Sequence, residues 1–132
     1  MLHAMTNAPD HDEVERVVQL YIDGSAKGDA SKLEQAFHSE ARMFGAAGRQ
    51  RMDIPIQQLF EMAAAMPMDT DGSYAASIES VEQVGDAAVA VLSEDGCWGS
   101  ASFVDFFSLA RIDGEWKIVN KTFAHTGGEL PG

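Results

Sequence analysis

A chain of 132 residues, 45% of them hydrophobic, is the size of one domain with one core and is too apolar to read as disordered. Lys and Arg number 9 against 21 Asp and Glu, a net charge of −12 that repels a phosphate backbone and so argues against a nucleic-acid partner; its plain consequence is solubility. No apolar run approaches the ~18 residues that span a bilayer, the first residues lack a basic and then apolar leader, and Cys97 stands alone, so the expectation is a cytoplasmic protein with no membrane partner.

Residues 1–11 read as a flexible tail and residues 12–126 as the single domain. Asp10 and Glu13 form an aspartate version of the capping box ahead of a helix whose apolar stripe is Val14, Val17, Val18, Tyr21 and Ile22. Gly24 and Gly28 weaken that helix and end it, and Asp29 caps a short second helix carrying Leu33, Ala36 and Phe37. Ala41 to Phe44 reads as a short strand, Gly45 and Gly48 as a turn, and Asp53 with Pro55 as the start of a third helix through Leu59, Phe60, Ala63 and Met66, stopped near Pro67.

Turn signals at Asp71-Gly72, Gly85-Asp86, Asp95-Gly96 and Asp113-Gly114 then bound segments of strand length. Short turns require antiparallel pairing, which predicts a meander of Tyr74–Val84, Ala87–Ser93, Ser100–Ile112 and Glu115–His125. Residues 127–132 read as a flexible glycine-rich tail. Helices first and a meander afterwards give an α+β layer arrangement. In the third of these strands Phe103, Asp105, Phe107 and Leu109 share one face, while Val104, Phe106, Ala110 and Ile112 share the other. Both faces are apolar, so one covers the helices and the other needs a cover too, which is the reason to expect a homodimer; a face covered by the C-terminal tail is the alternative.

Several stretches, in this order, resemble a known superfamily. Val17 to Ile22, Lys27-Gly28-Asp29, Ala36-Phe37-His38 and Ala41-Arg42 look like the opening of NTF2-like (SnoaL-like) domains. Val84 to Ala90, Asp105 to Leu109 and Asp113 to Lys121 look like its closing strands. The nearest subgroup is the bacterial "putative lumazine-binding" family, and the resemblance covers about residues 12–125. It implies a cystatin-like cone, a curved antiparallel sheet wrapped on N-terminal helices with a pocket between them. It implies little about activity, because that fold hosts isomerases, dehydratases, hydrolases and binding subunits.

The superfamily includes ketosteroid isomerase, in which an aspartate base works beside a tyrosine and a protonated aspartic acid. The resemblance puts Tyr21 at the tyrosine and Asp105 at the neutral acid, whereas the base falls at or near Gly45, which has no side chain to take a proton. Asp105 on an inward face would be a neutral ligand-binding acid, or a core group bonded within the protein, or the partner of an inward-pointing Lys121, which would keep it ionised. His38, at the expected end of the second helix, is an acid–base candidate or a helix-terminal histidine.

An apolar pocket is expected to draw on Phe44, Phe60, Met62, Met66 and Trp98, together with Phe103, Phe107 and Phe123 from the inward face. Trp98, between Gly96 and Gly99, reads as a lid or a dimer contact. His3, His11, Asp10 and Asp12 lie on a tail with no imposed geometry and read as no metal site, Cys97 lacks any nucleophile signature, and no phosphate loop or cofactor motif is present. The reading is a small-molecule-binding domain for an apolar or aromatic ligand, without cofactor; a cofactor-free isomerase or dehydratase using Tyr21, His38 and Asp105, or an accessory dimerisation module, are the alternatives.

Overall fold

In the computed structural model, which describes residues 8–131, the apolar stripe of the first helix is the surface on which the sheet closes. Helix α1 (Ala8–Lys27) puts Val14, Val17, Val18 and Tyr21 at 1% exposure or less. Each such side chain contributes roughly 1.5–3 kcal/mol by leaving water. The helix begins upstream of Asp10, so the expected capping box is not its start; Glu13 instead pairs with Arg16 at 3.2 Å. Of the expected N-terminal tail, residues 8–11 are helical and the rest lies outside the described residues.

Asp29 caps α2 (Ala30–Ala36) by accepting a hydrogen bond from the Lys32 amide, and the chain passes straight into β1 (Phe37–Ala47). β1 is far longer than the strand expected at Ala41 to Phe44 and takes in Gly45 of the expected turn, and a short partner, β2 (Gln50–Pro55), takes Asp53 and Pro55 of the expected helix start. Pro55 is the N-cap of α3 (Ile56–Ala65), so the proline does mark the boundary, one residue outside the helix. The meander is β3 (Ala75–Val84), β4 (Ala87–Cys97), β5 (Ala101–Ile112) and β6 (Glu115–Gly127). The six strands are ordered β2-β1-β6-β5-β4-β3, with β1 parallel to β6 and every other pair antiparallel. Helices line one face of this curved, unclosed sheet, an α+β arrangement.

Two irregularities decide which side chains reach the interior. β4 continues past Asp95-Gly96, which is a bulge and not the expected turn. Gly96, at φ 66°, lies so close to the Ser73 carbonyl that any Cβ would collide with it. The second register shift skips Val119 between Ile118 and Asn120. Ile118, Lys121 and Phe123 therefore point inward while Val119 does not.

On the outer face, Val91, Phe106, Thr122 and Phe44 form one cross-strand row over β4, β5, β6 and β1. Phe106 is 52% exposed and Phe44 36%. The two-faced character expected of β5 is present, with Phe103, Asp105, Phe107 and Leu109 buried.

Gly24 sits inside α1 because Leu33 of α2 packs onto its backbone: a Cβ there would stand 2.9 Å from Leu33 Cγ and Cδ2. In an open helix, Gly→Ala stabilises by about 1 kcal/mol. Here overpacking, which costs about 1–3 kcal/mol, outweighs that gain. Gly24→Ala is therefore expected to lower the urea midpoint; a raised midpoint would show that Leu33 moves aside freely.

Candidate functional site

Between α3, the inner face of the sheet and the C-terminal segment lies a cavity of about 410 Å³. Its walls come from Leu59, Met62 and Ala63 of α3 and its C-cap Met66, Met43 and Ala47 of β1, Met52 of β2, Phe103 of β5 and Phe123 of β6. With Met68, every methionine of the described residues lines this space. Unbranched thioethers fill irregular gaps and yield to a guest more readily than branched side chains. The C-terminal segment is not a loose tail: β6 runs to Gly127, the Glu129 amide donates to Ser100 Oγ at 3.0 Å, and Leu130 and Pro131 close one side of the cavity.

Trp98 is a wall and not a swinging lid. Its indole N–H donates to the Met66 carbonyl at 3.0 Å, its backbone N–H donates to the Met68 carbonyl at 2.8 Å, and its ring meets Phe103 edge-on at 6.0 Å. These bonds tie the β4–β5 connection to the end of α3.

The charged-type side chains lining the cavity, among the described residues, are Glu94 and Lys121, both buried; Ser25 and Gln50 also line it. Leu92 pairs with Asp105 and Glu94 with Phe103, so Glu94 and Asp105 are diagonal neighbours on the inner face. Lys121, opposite Phe107 on β6, is the next diagonal step. Its Nζ lies 3.8 Å from Asp105 Oδ1, 3.5 Å from Met43 Sδ, and over the rings of Tyr21 and Phe123 at 5.3 and 4.9 Å. From below, Tyr21 donates its hydroxyl to Glu94 Oε1 at 3.3 Å and Tyr74 donates to Oε2 at 2.6 Å.

Two carboxyls this close and this buried do not both ionise. Burial lifts the Glu94 carboxyl well above its ordinary value of 4.5, and the charge and contact of Asp105 push it further; Lys121 and the Tyr74 hydroxyl oppose the rise. Among the described residues neither Asp105 oxygen has a hydrogen bond from an ordinary donor, and a proton on Glu94 would supply one. With that proton the Glu94–Asp105–Lys121 group is neutral overall, which is the state a low-dielectric interior tolerates. Burial, then Asp105 and Glu94, also raise the Tyr21 phenol, which stays a hydrogen-bond donor.

Met62, Met66, Trp98, Phe103, Lys121 and Phe123 line the cavity. The other expected pocket residues lie elsewhere. Tyr21 and Asp105 are buried behind the polar floor, engaged with Glu94 and Lys121. Phe107 packs on Tyr21 with ring centroids 5.0 Å apart, and Phe60 packs on Phe37 at 5.8 Å. Phe44 lies on the outer face, because Met43 takes the inward position. His38 directly follows Phe37, the C-cap of α2, and is the second residue of β1; its Nδ1 accepts from the Glu40 amide at 3.1 Å, and it does not line the cavity. Gly45, where the isomerase base would fall, is pressed against Phe123: a Cβ would stand 2.7 Å from its ring.

Glu94 and Tyr74 were missed from the sequence. The alternation Ala88, Ala90, Leu92 points to Glu94 as the next inward residue, but the Asp95-Gly96 signal ended the expected strand one residue too early. Cys97 is fully buried, and burial pushes its thiol well up, away from any nucleophile. His11, Asp12 and Glu15 bring ligand atoms within 4.8 Å on the partly exposed start of α1, where a 3.9 Å His11–Glu15 pair accounts for two of them. His3 and the Asp10 side chain lie outside the described residues.

A family model described as "Putative lumazine-binding" matches residues 9–124. An NTF2-like protein of unknown function from Shewanella baltica is 29% identical, with 92% of this chain and 97% of that one covered and a TM-score of 0.82. A second, from Methylobacillus flagellatus, is 27% identical over 92% and 95% of the two chains, with a TM-score of 0.83. A ketosteroid isomerase-like protein from Erwinia carotovora atroseptica, 15% identical over 88% and 95% with a TM-score of 0.67, shares the fold alone. Among curated proteins, the aldolase FrzH of Cladobotryum sp is 21% identical over 114 residues, 86% of this chain and 90% of that one.

The raised Glu94 carboxyl has a consequence for stability. The folded state holds a proton that the unfolded state releases above pH 4.5, so stability falls as pH rises from that value toward the folded titration point. The slope is at most about 1.4 kcal/mol per pH unit. Glu94→Gln, neutral at every pH, is expected to flatten this decline in urea unfolding measured at a series of pH values. An unchanged slope would place its source in another group.

Proposed function

The chain belongs to the "Putative lumazine-binding" family, NTF2-like in fold, and from that premise we propose that it binds a small apolar or aromatic molecule in the methionine-lined cavity. One observation carries the reading: a cavity of about 410 Å³ with thioether and aromatic walls and just two charged-type side chains, Glu94 and Lys121, lining it. Pockets of this size, largely apolar with few polar groups that orient the guest, are the usual form of small-molecule sites. An accessory module that served only to assemble would have no use for this open interior.

The polar groups set a preference. A pteridine such as lumazine carries donors and acceptors around both rings, whereas this cavity offers mainly Glu94, Lys121, Gln50 and Ser25 to meet them. A buried polar group without a partner costs about 1–3 kcal/mol. A bicyclic aromatic with one carbonyl or hydroxyl fits better. The expected outcome is that 2-naphthol quenches or shifts Trp98 fluorescence in a Trp116→Phe background at a concentration about tenfold below that needed for lumazine. Equal responses, or none, would sink this preference, and native mass spectrometry of the purified protein checks for a co-purified guest directly.

An enzymatic reading, cofactor-free carbonyl chemistry, is favoured by one arrangement: an acid and an amine open on the same cavity, in a chain similar to a protein named as an aldolase. In this reading Glu94 takes the part of neutral acid first expected of Asp105.

The outer face completes the proposal. The row Val91, Phe106, Thr122 and Phe44 presents no charge, and a second copy offers the same row in return across a two-fold axis. The proposed assembly is a homodimer through this face, and the lone buried Cys97 suits a reducing compartment such as the cytosol. Phe106→Glu is expected to turn a dimer into a folded monomer in sedimentation velocity; a monomeric parent, or a dimeric variant, would remove the assignment.

A further inference from the structure

We propose that Lys121 is a nucleophilic amine that condenses with the carbonyl carbon of an aromatic aldehyde or ketone held in the cavity. The inference rests on the cavity being the ligand site and adds that the ligand is a carbonyl compound bound covalently and reversibly.

Four observations support it. Lys121 lines the cavity yet is 4% exposed, so a guest meets its amine away from bulk water. Its Nζ has three donors but, among the described residues, no oxygen at hydrogen-bond distance: its neighbours are Asp105 Oδ1 at 3.8 Å, a thioether sulfur and two ring faces. A structural lysine is expected to spend its donors on carbonyls or carboxylates, or to reach water with its head group. This one stays buried, and its contact with a carboxylate is a 3.8 Å ion pair to Asp105 that falls short of a hydrogen bond. Next, a proton leaving Nζ has a nearby acceptor, since both Asp105 oxygens lack a conventional hydrogen bond. Finally, Glu94 lines the same cavity and holds a proton to give to a carbonyl oxygen.

The charge balance also selects the ligand. A carboxylate guest would add an unpaired negative charge to a group that is already neutral overall, whereas a carbonyl adds none. The step balances without any added reagent. The Lys121 ammonium passes a proton to Asp105, and the free amine attacks the carbonyl carbon while Glu94 protonates the oxygen. The nitrogen then returns a proton to Glu94, leaving a neutral carbinolamine. The proton on Asp105, relayed through Glu94, goes to the hydroxyl, which departs as water as the C–O bond breaks. The iminium that remains carries the positive charge Lys121 had, beside the Asp105 carboxylate. Lysine in an apolar pocket is a known form of activated nucleophile for carbonyl substrates.

The chain has four lysines, Lys27, Lys32, Lys117 and Lys121, which makes the adduct easy to place. The test uses 2-naphthaldehyde with cyanoborohydride, intact mass and peptide mapping, and naphthalene binding followed by Trp98 fluorescence in the Trp116→Phe background. The expected result is one reduced adduct per chain on Lys121. Lys121→Met is expected to lose the adduct. Should that variant fail to fold, the peptide map of the parent chain decides alone. Naphthalene binding without an adduct, or an adduct confined to the N-terminus, Lys27, Lys32 or Lys117, overturns the covalent inference and leaves the binding proposal standing. Absence of naphthalene binding overturns both.

Discussion

The burial of Glu94, Asp105 and Lys121 side by side in the interior is the constraint around which this structure is organised. Glu94, Asp105 and Lys121 come from three adjacent strands and meet on the inner face of the sheet, with Tyr21 and Tyr74 beneath them. Taken singly, each of these charged groups would cost several kcal/mol to bury. Together, with one carboxyl neutral, they sum to no net charge, and the two phenols supply donors to the acid. The sheet register that brings them together is fixed by the bulge at Gly96 and the skipped residue at Val119, because a slip of one residue would turn Glu94 or Lys121 out to solvent.

The apolar parts of the fold isolate that polar group and leave space above it. α1 buries Val14, Val17 and Val18 in the core and sets Tyr21 against Glu94 and Lys121. Gly45 lets Phe123 lie close against β1, and the Phe123 ring lines the cavity. The Trp98 bonds to Met66 and Met68 hold the far wall, and Leu130 and Pro131 fold back over it. The outcome is an apolar chamber with its polar groups at one place, a geometry that orients a guest by one end. Similarity to an isomerase-like fold says nothing of that guest; the side chains in the chamber do.

What the sequence determined by itself was what rests on local periodicity and turn chemistry. The α1 stripe, the Asp29 cap, the proline at the start of α3, the four-strand meander and the two faces of β5 follow from spacing and are all present. The family resemblance was legible for the same reason, since it is carried by motifs along the chain. Six cavity residues, Met62, Met66, Trp98, Phe103, Lys121 and Phe123, could also be named from type and parity. Only the tertiary structure decided the rest. β2 and the long β1 exist because β6 offers β1 a parallel edge, a pairing between segments some seventy-odd residues apart that no local pattern encodes. Glu94 rather than Asp105 faces the cavity, and His38 and Phe44 do not, because bulges and strand ends set parity where the sequence shows only glycines and short runs. Which carboxyl keeps its proton depends on distances and burial in three dimensions, and those arise only when the three strands are side by side.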